Sequence, residues 1–354
     1  MDASAGQAAS IALASSETNR KTVYAALLLL VIVAALFTYK SSAALGVIQK
    51  VQNTRTFQPR TNVVPLPNNS LQLNTFSRAI NYFLVIWPAL LFGILISGAV
   101  RVLDPPRWWS RVVGNGYLRP NLIAGVAGMP LMLCSCCAAP IFSGMRAKSS
   151  RLGPPLAITL AAPSLNPAAL ILTFMLFGGS IGITRVAMAA LGVFLTATLV
   201  DKLFSGQRGD CPTDTEEKSQ VMSMPIAFLR SCLSVAVRTL PLIVIGVLIS
   251  MLIALLLPRG IFLSGWGTIA SIVVIALIAV PLALPTFFEI PLALILISAG
   301  APLAAVVPLL IAGPAVNLPS LFTIARTSSW KVAGMVAATI FVIAVAGGAV
   351  ATFL

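Results

Sequence analysis

Apolar positions in this chain gather in long runs separated by shorter polar stretches. The runs cover about 22–39, 79–100, 121–145, 152–177, 180–200, 233–257, 264–299, 301–325 and 330–352. Runs near 20 residues predict helices that cross a bilayer. The strict apolar–polar alternation of a membrane barrel is absent. The pattern therefore predicts an all-α polytopic membrane protein.

The stretches around the runs set the expected organisation. Residues 1–21 are polar and expected to be disordered, 22–39 to form an N-terminal transmembrane helix, and 40–78 a polar loop. Small residues at 41–44 would suit signal-peptide cleavage, but the long polar lead favours a retained anchor. A first repeat is expected over 79–200, a charged cytoplasmic linker over 201–231, and a second repeat over 232–354.

The duplication rests on paired prolines and asparagines. Pro130 and Pro140 match Pro281 and Pro291, and Pro163 and Asn166 match Pro314 and Asn317, all at one offset of 151. Upstream, Pro88, Gly93 and Ser97 match Pro241, Gly246 and Ser250. Internal repeats are common in transporter folds. Arg101, Arg107, Arg111 and Arg119 precede run 121–145, and Arg146, Lys148 and Arg151 follow it. The matching loops near 254–271 and 297–302 hold Arg259 alone. Basic loops stay in the cytoplasm, so the halves are expected to be inverted repeats. Placing both basic loops on one side makes run 121–145 a re-entrant hairpin, with limbs 121–133 and 140–149 and the turn at Pro140. Seven spans and two hairpins follow. The N-terminus is then cytoplasmic, and Arg185 falls on the outer side.

Composition sharpens the class. Of 354 residues, 58% are hydrophobic and 9% charged, and mean hydropathy is +0.99. The net charge of +14 is spread over loops, so it reads as a topology signal rather than a nucleic-acid footprint. The chain has no His, which excludes histidine metal sites and relays. No phosphate-binding Gly-x-x-x-x-Gly-Lys-Ser/Thr loop is present, so an ion gradient or a partner would drive any transport. The five cysteines suggest no disulfide framework.

Three of those cysteines, Cys134, Cys136 and Cys137, sit in the middle of an apolar run. Thiols are the softest ligands a protein owns, although a buried Cys also serves as a small hydrophobe. Pro163, Ser164 and Asn166, and then Asn317, interrupt two further runs. Broken helices in matching positions of two halves point to a midplane substrate site; the plainer reading is a proline kink with Asn as interhelical glue. Glu289 is the one acidic residue well inside an apolar run. It is far in sequence from any basic residue, so it is expected to be unpaired and suited to proton coupling, or else to be a structural carboxyl. Cys211 and Cys232 read as incidental, and Trp108 and Trp109 as an interfacial anchor.

At Cys134-Ser135-Cys136 through Pro140, and at Ala161 through Pro167, the chain resembles the YraQ/ArsP-type predicted permeases over about 79–352. The resemblance implies a secondary transporter, some members being associated with efflux of trivalent organoarsenicals bound by paired thiols. Cys137 is a third thiol beyond that motif, and residues 1–78 lie outside the resemblance. The expected partners are a small soft metalloid or sulfur solute and the lipid bilayer of the cell (inner) membrane. A homo-oligomer is compatible with the sequence. No cofactor, permanent metal, nucleic acid or enzymatic activity is expected. Import of a sulfur compound and a membrane thiol redox enzyme or sensor stay open as alternatives.

Overall fold

Only helices and their connections occur among the described residues of the computed structural model, which are 2–54, 63–65, 71–102, 116–149, 151–204, 224–256, 267–285, 287–298 and 300–354. Within a bilayer the backbone must satisfy its own polar groups, and the helix does this segment by segment. The elements are α1 (Asp2–Thr54), α2 (Leu71–Val102), α3 (Leu118–Gly128), a 3-10 turn (Met129–Leu131), α4 (Ser135–Lys148), α5 (Gly153–Ser164), α6 (Pro167–Phe177) and α7 (Gly179–Leu203). They continue with α8 (Met224–Leu256), α9 (Thr268–Ala279), α10 (Glu289–Ser298), α11 (Leu303–Ala315), α12 (Leu318–Thr327) and α13 (Trp330–Ala351).

Six stretches have the length and composition of a membrane span: Ala26–Thr54, Asn74–Val102, Gly153–Phe177, Gly179–Leu203, Pro225–Leu252 and Trp330–Ala351. The pair α11–α12, bent by 44°, makes a seventh if counted as one. Helix α1 differs from its expected bounds. It is continuous from Asp2 and takes in residues assigned to a disordered lead and to a polar loop. Both flanks are rich in alanine and other helix formers and contain no proline before Pro59, so propensity extends the helix past its apolar middle.

The order of elements repeats. Helices α2 to α7 correspond in sequence to α8 to α13, with both helix breaks at matching positions. Packing repeats in part: α3 on α5 and α7, and α5 on α7, recur as α9 on α11 and α13, and α11 on α13. The halves differ at α4 and α10. Helix α4 is held by α2, α5, α8 and α12, whereas α10 packs chiefly on α11. One apolar cluster joins α5–α7 to α9–α13, and another joins α1, α2 and α8 to the segment Leu131–Ile141.

Segment 116–151 returns to its starting level. The Arg151 guanidinium donates to the Gly116 carbonyl (Nη1–O 3.0 Å) and lies over the Tyr117 ring, 5.1 Å from its centroid. Arg151 also pairs with Asp201 near the end of α7, and Asp201 Oδ1 accepts from the Gly153 backbone N–H at 3.2 Å. Asp201 thus belongs to α7, fully buried, rather than to the solvated linker. The turn itself is not at Pro140, which lies inside α4. Met132, with φ of 49°, reverses the chain instead, in the left-handed region that non-glycine residues seldom enter. Pro140 removes one N–H and leaves the Cys136 carbonyl without its helical donor.

Candidate solute-binding site

Four half-helices begin at breaks, and their first residues carry the chemistry. After the Met132 turn, Cys134 is extended (φ −77°, ψ 160°) and caps α4. Its carbonyl accepts from the N–H groups of Cys137 and Ala138, each at 3.0 Å. This first turn gathers the thiols: Cys134 Sγ lies 3.1 Å from Cys136 Sγ and 2.8 Å from Cys137 Sγ. All three are buried and free, not disulfide-bonded. Tyr82, from α2, brings its hydroxyl 2.9 Å from Cys136 Sγ. The three sulfurs lie within 4.8 Å of one another, close enough to share one soft atom. Close approach of α2 makes this possible: a Cβ on Gly93 would lie 2.3 Å from the Cys137 carbonyl oxygen.

The two asparagines cap the half-helices that follow the other breaks. Asn166 Oδ1 accepts from the Ala168 N–H at 3.1 Å, with Pro167 at the first helical position of α6. Asn317 Oδ1 accepts from the Ser320 N–H at 3.0 Å, and Ser320 Oγ accepts in return from the Asn317 N–H at 3.1 Å. This reciprocal pairing is the capping box, and it ends the disruption left by Pro314 within one residue of the break.

A narrow cleft lies where the halves meet. It is lined by Leu133, Cys134, Ser135, Pro163, Asn166, Ala169, Leu284, Pro285, Phe287, Glu289 and Pro314, with about 10 Å³ open to a water-sized molecule. That is room for about one water. Four expected site residues, Cys134, Pro163, Asn166 and Glu289, thus share one cleft. Cys136 and Cys137 stand behind Cys134, each wholly buried. Ser164 and Asn317 are also buried but do not line the cleft.

Glu289 is not unpaired. Its Oε1 accepts from Arg185 Nη2 at 2.9 Å, and both side chains are buried. Arg185 also donates to the Thr173 hydroxyl. The pair links α7 of the first half to α10 of the second, across 104 residues of sequence. Arg185 is therefore not an outer-side charge; it is one of the largest fully buried side chains. Its position inside run 180–200 was the available signal, since an intramembrane cation needs a partner. Tyr82 carried a weaker one: an aromatic with a polar tip in an apolar run needs a hydrogen-bond partner. The positions matching Arg185, Thr173 and Glu289 in the other half hold Val336, Ile324 and Ala138, all buried and apolar. The polar cluster thus has no counterpart at the matching positions. Cys211, Trp108 and Trp109 lie outside the described residues, and Cys232 packs with its sulfur against Gly98.

Residues 71–353 match the ArsP_1 family, described as a predicted permease. The UPF0718 protein YraQ of Escherichia coli is 27% identical over 264 residues, 73% of this chain and 76% of that protein. The UPF0718 protein YcgR of Bacillus subtilis is 28% identical over 108 residues, 30% of this chain and 36% of that protein. The UPF0718 protein MJ0584 of Methanocaldococcus jannaschii is 29% identical over 82 residues, 23% of this chain and 22% of that protein. No solved structure matches the chain.

Proposed function

Taking as premise that the chain belongs to the ArsP_1 family of predicted permeases, we propose that it exports a small thiophilic solute, such as a trivalent organoarsenical, as a secondary transporter of the cell membrane. The observation that carries this reading is the cluster of three thiols at the start of α4, with Cys134 at the cleft between the halves. Soft ligands held together favour soft metalloid and sulfur centres over hard ions. The solute would reach Cys134 first, with Cys136 and Cys137 completing the set.

Alternation between two sides fits inverted repeats with their breaks at midplane. The unequal packing of α4 and α10 supports it, since matched elements in unlike settings are what an exchange of states between halves requires. In this reading the N-terminus is cytoplasmic, and Glu289 couples transport to protons by leaving and regaining Arg185. Protonating Glu289 would remove the carboxylate charge and leave the Arg185 guanidinium without its counter-charge, free to turn towards the cleft. Transport of a trivalent organoarsenical into everted membrane vesicles, with and without an imposed pH gradient, tests the proposal. Accumulation that collapses with the gradient supports it. Equal solute levels in vesicles with and without the protein would refute it.

A further inference from the structure

The four half-helices α4, α6, α10 and α12 all begin inside apolar runs, and the starts of α4, α6 and α10 line the cleft through Ser135, Asn166 and Glu289. A helix start presents N–H groups with no partner in the helix and carries partial positive charge. Asn166 is 1% exposed. Its Oδ1 is committed to capping α6, while its Nδ2 has no partner among the described residues. Arg185 Nε, Asn317 Nδ2 and Ser164 Oγ are likewise buried without partners. Of these residues only Asn166 lines the cleft, and the carboxylate that lines it, Glu289, is already engaged by Arg185. A buried donor left unmade is costly, and Asn166 lines the cleft together with Cys134.

We infer that the cleft recognises its solute through an oxygen acceptor as well as a soft atom. The oxygen, preferably anionic, sits at the start of α6 against Asn166 Nδ2, while the soft centre meets Cys134. The chemical class is a small oxyanion or oxyacid with a soft central or terminal atom. This rests on the thiophilic reading for the soft end only; the oxygen end rests on Asn166 and the helix starts.

The test is calorimetric titration of the full chain in lipid nanodiscs with thiophosphate and thiosulfate, which carry both features, and with Cd²⁺, which is soft but has no oxygen. The variant Asn166→Asp keeps the capping oxygen and replaces the free NH₂ by an acceptor. Asn166→Ser, which also keeps a capping oxygen, serves if the Asp variant does not fold. Thiophosphate and thiosulfate are expected to bind wild type and to weaken at least about tenfold in the Asn166 variants, the scale of one lost hydrogen bond to charge. Cd²⁺ affinity should change by less than about twofold, because its ligands are thiols. Oxyanions that fail to bind wild type, or that bind the variants unchanged, overturn the inference. So does a variant that weakens Cd²⁺ as much as the oxyanions. Cys134→Ser separates the two readings. If it leaves Cd²⁺ and thiosulfate affinity intact while Asn166→Asp still weakens the oxyanions, the thiol proposal fails and the oxygen site stands.

Discussion

At the scale of single residues, the consequential contact is the one between Arg185 and Glu289. Breaking a buried ion pair from one side strands the other charge, at about 3–5 kcal/mol, whereas removing both charges is often nearly neutral. Glu289→Gln and Arg185→Gln should each lower the melting temperature of the purified protein sharply, and the double variant should recover most of the loss. Additive losses would mean that the pair is not a unit. An unpaired structural carboxyl would instead make the Gln change silent. The thiols give a second prediction. Cys134→Ser, Cys136→Ser and Cys137→Ser should each slow export of a trivalent organoarsenical by about tenfold or more, because Ser is a hard, weak ligand. Cys232→Ser, at a helix contact, should transport as wild type. Full export by all three cluster variants would make the cysteines packing residues. The cysteines, the asparagines and Glu289 were legible in sequence because each is chemically out of place in an apolar run. The Arg185–Glu289 partnership was not, since nothing local in a sequence joins positions 104 apart.

At the scale of elements, close approach of helices depends on matched glycines. Gly93 admits the backbone at Cys137, and its counterpart Gly246 admits Pro319 at the start of α12, where a Cβ would come within 2.7 Å of backbone atoms. Both obstacles are main chain, which yields far less readily than a side-chain tip. Gly93→Ala and Gly246→Ala should each reduce thermal stability, by the roughly 1–3 kcal/mol typical of overpacking. Gly46→Ala, with nothing within 4 Å of the new methyl, should hold or slightly raise it. Melting curves in one detergent decide this, and a Gly93→Ala protein as stable as wild type would show that α2 and α4 can part without cost. Periodicity and prolines were enough to foresee the interrupted helices. They misplaced the turn before α4 because Pro140 is the visible helix breaker, while Met132 is an ordinary residue in an unusual conformation. They also placed Asp201 in a solvated linker, because its partner Arg151 is 50 residues away.

At the scale of the whole molecule, the hydrogen bond from Arg151 to Gly116 and the ion pair from Arg151 to Asp201 bring three chain points together at one end of the helices. Helix α7 carries the chain from there to Gly179 at its other end, 25 residues of helix away. Single cysteines at Gly116 and Lys202, in a background lacking the native five, should react from the same side with an impermeant maleimide, and one at Gly179 from the other. Reaction of 116 and 179 from one side would overturn the re-entrant arrangement. The match to the family begins at Leu71, where α2 begins.

Helix α1 packs on α2 at the edge of this core, with 11% of its apolar window buried against the rest of the protein. Its other neighbours there would be acyl chains. The apolar portion, Ala26–Thr54, has 29 residues, or about 43 Å of helix, against roughly 30 Å of hydrocarbon. Such a segment must lean or stand proud of the bilayer. Bilayer thickness then acts together with the packing of α1 on α2 to set the angle at which the first helix meets the permease.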